Sequence, residues 1–331
     1  MGLRTEAMKS ITIVIPNYNG MRYLEGCLNS LARQSDRDFE IVMIDNASTD
    51  GSVGWVRRHY PDVRIRAYHR NTGFCRAVNA GISMSRGKYV LLLNNDVVCD
   101  PEMVSSLRSA MDSRPQAFSC CAKLLQMSDP SRIDDAGDFL SIFGWAMARG
   151  KGLGSALYTK EEKVFACCAA AAIYRRSMLD GIGWFDERHF AYLEDMDIGY
   201  RALRHGFENW YIPQAVVYHA GSATSGSRYN SFKARLSGRN NIWLIRKNMP
   251  APQIVFNLPL LAAGFIVKWV YYSRKGLGRD YAEGLGQGLV LAGEFDPPAK
   301  GTPGIYLKLQ LQLYRGLYEQ LSGWVKHHDK G

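Results

Sequence analysis

The stretch YVLLLNNDVVCDP, Tyr89 to Pro101, runs five apolar or aromatic residues straight into Asn94, Asn95 and Asp96. A continuous apolar run of this length fits a strand covered on both faces, as in a parallel sheet. Open α/β sheets place ligands at the carboxyl ends of such strands. Asn and Asp also suit tight turns, and Asp100-Pro101 can start a helix, so this stretch alone leaves a plain turn equally open.

The flanking sequence repeats the pattern. SITIVIPNYN (10 to 19) is a strand stopped at Pro16, and Tyr23, Leu24, Leu28 and Leu31 mark a helical face. FEIVMIDNASTDGS (39 to 52) is a second strand ending in Asp45, 53 to 60 a short helix, VRIRAYHR (63 to 70) a third strand, and 76 to 85 another helix. Alternating β and α segments with buried strands predict a doubly wound parallel α/β sheet. Asn17, Asp45, Asn71 and Asn94 to Asp96 should then line one sheet edge, a polar cleft suited to phosphates, ribose and a divalent cation.

Beyond Pro101 the pattern loosens. FSCCAKLLQ (118 to 126) is expected as a strand, 131 to 154 as a glycine-punctuated loop region, and VFACCAAAAIYRR (164 to 176) as a strand of small residues. The glycines of GKGLGSA (150 to 156) neither follow a strand nor open a helix, which excludes a dinucleotide-binding fingerprint there. Glu194 to His205 has helical character with Gly206 as its stop, and Glu194, Asp195 and Asp197 crowd the first turn, where the helix dipole favours acids in any case.

The 331 residues are 47% hydrophobic and carry a formal charge of +10. That charge favours polyanionic partners, but Lys and Arg are scattered and no nucleic-acid-binding motif occurs, which argues against DNA or RNA. Seven cysteines form an odd set with two adjacent pairs and no CxxC, so they are expected as small buried residues in a reducing compartment. The start, MGLRTEAMKSITIVIP, holds too few apolar residues for a signal peptide, and the expected location is the cytosol.

From about Arg239 the composition changes. FNLPLLAAGFIVKWVYYSRKG (256 to 276) is apolar, aromatic and flanked by basic residues, and Leu307, Leu311, Tyr314, Tyr318, Leu321 and Val325 repeat at helical spacing. With Lys268 inside the apolar run, the reading is a helical, amphipathic region (251 to 331) lying on a membrane face rather than a span. A helical hairpin packed on the main domain is the alternative.

Taken in order, IPNYNG (15 to 20), IDNASTDGS (44 to 52), NTGFCRAVNAGI (71 to 82), LLLNNDV (91 to 97), GWFDERHFAYLEDMDIGYRALRHGF (183 to 207) and VVYHAG (216 to 221) resemble the family 2 glycosyltransferases of the GT-A fold. The resemblance is especially to the rhamnosyltransferase-like members that build bacterial surface polysaccharides such as O-antigen. The resemblance implies a catalytic domain over 1 to 250, with a nucleotide-sugar half (10 to 100) and an acceptor half (101 to 250).

It also implies roles. Pro16, Asn17, Asp45, Asn71, Arg76, Asn79, Asn94 and Asn95 would contact the nucleotide-sugar, Asp45 reading base and ribose. Asp96, in the DxD position, would hold Mg²⁺ or Mn²⁺ with His219 completing the metal shell; Asn94 departs from the motif's first Asp, so metal independence stays open. Asp195 matches the general base, with Glu194 beside it. Asp197 and Arg201 match recurrent positions, and Ala169 stands where relatives carry Gly. No QxxRW occurs, which argues against a processive synthase. The implied activity is inverting transfer, best guessed as rhamnose from dTDP-rhamnose, to a polyprenyl-linked or oligosaccharide acceptor on the cytoplasmic face of the membrane. The alternatives are a UDP-hexose donor and a non-catalytic nucleotide-sugar-binding subunit.

Overall fold

The computed structural model describes residues 9–221, 229–293 and 302–328. The amino-terminal segment considered above for a leader thus lies mostly outside the described residues, as does part of the 251 to 331 region.

The first hundred residues form the expected alternation of strand and helix: β1 (Ile11–Asn17), α1 (Met21–Ala32), β2 (Phe39–Asp45), α2 (Ser52–His59), β3 (Arg64–Ala67), α3 (Phe74–Met84) and β4 (Tyr89–Leu93). These strands pair in parallel in the order β4-β1-β2-β3. Alternate side chains serve opposite faces. Leu91 and Leu93 of β4 pack toward α1, whereas Val90 and Leu92 pack toward α3.

The Tyr89–Pro101 stretch does two jobs. β4 ends at Leu93, residues 94–96 turn, and β5 (Val97–Cys99) runs antiparallel to the last strand, followed by α4 (Met103–Asp112). The sheet then continues through β6 (Ala117–Gln126), whose edge partner is β7 (Asp129–Asp135). Next come the short hairpin β8 (Asp138–Leu140) and β9 (Ala146–Ala148), then β10 (Glu162–Val164), β11 (Ala171–Arg175) and α5 (Arg176–Ile182). α6 (Glu194–Arg204) and β12 (Glu208–His219) complete this part. β12 lies parallel to β6 and antiparallel to β5, which sets His219 opposite Val97.

Two expectations are corrected here. The 131 to 154 loop region contains β7, β8 and β9; β7, DPSRIDD, is an edge strand whose first residues face solvent, so it lacks the apolar alternation by which strands are recognised. The single strand over 164 to 176 is two strands, because the chain leaves the sheet between them and residues 168–170 line the cavity described below.

Among the described residues four helices follow: α7 (Ser231–Asn248), α8 (Ala251–Arg274), α9 (Gly278–Gly293) and α10 (Pro303–His328). α8 packs through Gln253, Asn257, Leu261 and Gly264, a stripe at helical spacing, and exposes Val255, Phe256, Ile266, Val267, Trp269 and Val270 on other faces. Asn257 in that stripe exchanges hydrogen bonds with Gln310 of α10. By length and composition α8 is long and apolar enough to cross a membrane, since residues 251–255 join the apolar run in one helix.

Candidate active site

At the carboxyl edge of the parallel strands lies a cavity of about 850 Å³. Pro16, Asn17, Asn71, Asn94, Asn95, Asp96, Glu194, Asp195 and His219 all line it. The sheet topology produces this convergence: β1 and β4 are neighbours, and β12 returns beside β5, immediately after the 94–96 turn.

The floor is a network of strand ends. Asn95 Nδ2 donates to Asn17 Oδ1 at 2.7 Å, while Asn17 Nδ2 donates to Asp45 Oδ1 at 2.8 Å and to Ser52 Oγ at 3.0 Å. Gly20 is required beside it, because a Cβ there would lie 2.0 Å from Asn95 Nδ2. Asp45 does not line the cavity. Its Oδ2 accepts from the Ser48 amide at 3.0 Å and its Oδ1 from Asn17 Nδ2 at 2.8 Å, so the carboxylate ties the turn after β2 to the end of β1. Asn46 lines the cavity in its place and ties Asn71 to it through Nδ2 at 2.9 Å.

Arg76 and Asn79 also fall outside. Asn79 spends its amide on the Phe185 backbone, donating at 2.8 Å and accepting at 3.1 Å, and Arg76 lies 3.9 Å from Glu187 at the surface. That face of α3 is turned to the 184–190 segment and not to the cavity. Asp197 is fully buried and receives Lys247 and Asn248 at 2.8 Å and Arg201 at 3.1 Å, which fixes α6 against α7.

Asp96 and His219 stand together, with Asp96 Oδ1 3.4 Å from His219 Nε2. Behind the imidazole, Asp134 Oδ2 accepts from Nδ1 at 2.7 Å and orients the ring. Burial disfavours the imidazolium, but the hydrogen bonds to Asp134 and Asp96 outweigh it and hold His219 up at about 9. The donor set fits a divalent cation that displaces the Nε2 proton: a carboxylate oxygen and an imidazole nitrogen face each other, and the carboxylate behind the ring is the usual support of a ligating histidine. Sequence reasoning missed Asp134, although IDDAGD (Ile133 to Asp138) offers three carboxylates within a segment taken for a loop.

On the opposite wall, Glu194 and Asp195 begin α6. Burial raises both carboxyls, Asp195 to about 6 and Glu194 to about 8, and each neighbour's charge adds to the rise of Glu194. Amides offset part of this for Asp195: the Met196 N–H donates to Oδ1 at 2.7 Å, and Ala169, lining the cavity, contributes its own N–H. Glu194 Oε2 has no partner. The two backbone N–H groups favour a charged Asp195, and Glu194 lacks such support at Oε2 among the described residues, so Asp195 is the better-placed base facing the cavity. The remaining wall mixes Asp138, Asn230 and Lys233 with apolar side chains, of which Met147, Tyr192 and Phe232 are partly exposed at its rim.

The cysteines fit the expected reading. All seven are free, and six of them are buried.

Comparison with known proteins adds the following. Residues 12–183 match the sequence profile "Glycosyl transferase family 2". An N-acetylglucosaminyl-diphospho-decaprenol L-rhamnosyltransferase of Mycobacterium tuberculosis is 28% identical over 242 residues, covering 65% of this chain and 78% of that protein. Among solved structures, a mannosyltransferase from Pyrobaculum calidifontis, in complex with GDP-Man and Mn²⁺, superposes with a TM-score of 0.53 at 16% identity, covering 97% of this chain and 87% of that one. GalNAc-T7 with UDP, GalNAc and Mn²⁺ gives 0.54 at 15% identity over 71% of this chain and 48% of that one, a likeness of fold.

Proposed function

The chain belongs to glycosyl transferase family 2 and is a glycosyltransferase, and from that premise we propose that it moves rhamnose from dTDP-rhamnose to a polyprenyl-diphosphate-linked sugar with inversion. The observation that carries the reading is the meeting of an Asp96–His219 pair oriented by Asp134 and the amide-supported Asp195 carboxylate across one cavity. The rhamnosyl donor and lipid-linked acceptor follow the relative named above.

The proposed chemistry is one displacement. Asp195 takes the proton of the acceptor hydroxyl as its oxygen bonds to the sugar's anomeric carbon, and the bond from that carbon to the diphosphate breaks, releasing a nucleoside diphosphate. Because attack and departure occur on opposite faces, the configuration inverts. Asp96 and His219 would hold Mn²⁺ or Mg²⁺, which neutralises charge on the departing diphosphate. Asn17, Asn46, Asn71 and Asn95 supply amide donors and acceptors that fix the donor, while the apolar rim excludes water from it.

The test is transfer itself. Purified protein with Mn²⁺ and N-acetylglucosaminyl-diphosphoprenol is expected to consume dTDP-rhamnose in preference to UDP-glucose, UDP-galactose or UDP-N-acetylglucosamine. Preference for a UDP-sugar would move the assignment to a hexosyltransferase; no turnover with any donor would favour a binding subunit.

The same reading gives the exposed apolar faces of α8 and α10 a membrane surface to meet, with Arg274 and Lys275 at the end of α8 available to anionic headgroups. Vesicles containing phosphatidylglycerol are expected to co-sediment the protein. Since burying a large apolar side chain is worth about 1.5–3 kcal/mol, Phe256→Asp and Trp269→Asp should each weaken this about tenfold or more. Equal sedimentation of wild type and variants would turn these faces toward a protein partner.

A further inference from the structure

The segment that leads into Asp195 is held in a conformation its own residues do not favour. Phe190, Tyr192 and Leu193 have φ of 62°, 71° and 65°, left-handed values at three non-glycine residues in four positions. Such a backbone persists only where surrounding groups over-determine it. His189 does not help, since it is fully buried with neither ring nitrogen hydrogen-bonded.

The determinants come from outside the segment. Arg239, on α7, donates to the Arg188 and His189 carbonyls at 2.8 Å. Asn240, next along the helix and fully buried, aims Nδ2 at the carbonyls of His189, Ala191 and Tyr192 at 3.0, 2.9 and 2.8 Å. The Phe190 carbonyl turns the other way and accepts from the Phe74 amide at 2.7 Å and the Cys75 amide at 3.3 Å, at the start of α3. Gly73 allows that approach, as a Cβ there would lie 2.6 Å from the Phe190 ring. Every carbonyl from Arg188 to Tyr192 therefore has a donor outside the segment, and Asn240 alone serves three of the five.

We propose that Asn240 is a positioning residue for the Asp195 carboxylate: its amide fixes the 189–193 backbone and with it the start of α6 in the cavity. The fold gives a route for this action. Leu193 is the last left-handed residue, its carbonyl accepts from Asp197 at 2.9 Å, and Glu194 and Asp195 follow it directly. Without the amide, three carbonyls lose a donor, the left-handed residues relax, and the carboxylate shifts relative to the anomeric carbon. Misplacement of a catalytic group by about 1 Å costs on the order of 10²-fold in rate. The donor-binding asparagines sit on other loops, so donor affinity should not follow.

The inference rests on Asp195 being the base of the proposed transfer, and the experiment separates the two. Asn240→Ala and, as a control for lost stability on the same helix away from that segment, Leu236→Ala are compared with wild type in rhamnosyl transfer from dTDP-rhamnose to N-acetylglucosaminyl-diphosphoprenol and in amide hydrogen exchange without substrate. Asn240→Ala is expected to lower kcat by about 10²-fold with donor KM within about threefold, and to speed exchange selectively at 190–196, whereas Leu236→Ala does neither. Exchange at 190–196 unchanged, or changed equally in both variants, would overturn the proposal. So would a kcat for Asn240→Ala that matches the control. If wild type transfers nothing, the substrate assignment fails and the exchange measurement still decides whether Asn240 holds the segment.

Discussion

Asp195→Asn is expected to lower kcat by about 10³-fold, within the 10²- to 10⁴-fold that a positioned general base contributes, with little change in donor affinity. Asparagine keeps the shape of the side chain and one oxygen for the Met196 and Ala169 amides, so the start of α6 stays in place while the proton acceptor is lost. The pH dependence carries the same information. Burial places the Asp195 carboxyl at about 6, so kcat/KM of the wild type should fall tenfold per pH unit below that value and level off above it. In the variant that acid limb should vanish. Glu194→Gln, removing a carboxyl held neutral at pH 7 by a rise to about 8, should cost far less. If Asp195→Asn retained the acid limb and most of its rate, Glu194 or Asp138, which also lines the cavity, would have to be the base.

The half of the site nearest the parallel strands was legible because it obeys a period. Buried strands announce themselves as unbroken apolar runs, and whatever polar residues stop them must lie at the sheet edge; Asn17, Asn71 and Asn94 to Asp96 follow from that rule alone. His219 and the Glu194-Asp195 pair came only through resemblance, since nothing local distinguishes a histidine after VVY or acids at a helix start. Asp134, Asn46 and Asn240 came by neither route. Asp134 meets His219 across 85 residues of chain through the pairing of β7, β6 and β12, and β7 hides its strand character in exposed polar residues. Asn240 sits in a helix where an asparagine carries no signal, and its importance lies wholly in which carbonyls the tertiary fold brings to it. Side-chain direction was illegible for the same reason: Asp45, Arg76 and Asn79 occupy the expected elements, and their partners Asn17, Ser48, Phe185 and Glu187 hold them off the cavity lining.

Loss of the Asp96 carboxylate should be the other severe defect. Asp96→Ala is expected to abolish any Mn²⁺-dependent thermal stabilisation by dTDP and to lower turnover by about 10³-fold, since charge neutralisation at a leaving diphosphate is worth several kcal/mol. EDTA should reproduce this in the wild type. Asn94 makes the argument sharper, because with a neutral residue at the first position of the motif, Asp96 is the carboxylate of that turn that reaches the cavity. Asp134→Asn should separate orientation from ligation: the imidazole keeps a hydrogen-bond partner but loses the negative charge behind it, so Mn²⁺ affinity should fall about 10- to 100-fold, with turnover recovered at saturating Mn²⁺. Asp96→Ala should show no such recovery. Nucleotide stabilisation that is indifferent to EDTA and to both substitutions would give the Asp96–His219–Asp134 chain a different meaning. The imidazolium, held at about 9 between two carboxylates, would then itself be the cation facing the diphosphate, and turnover should decline as pH rises through that value.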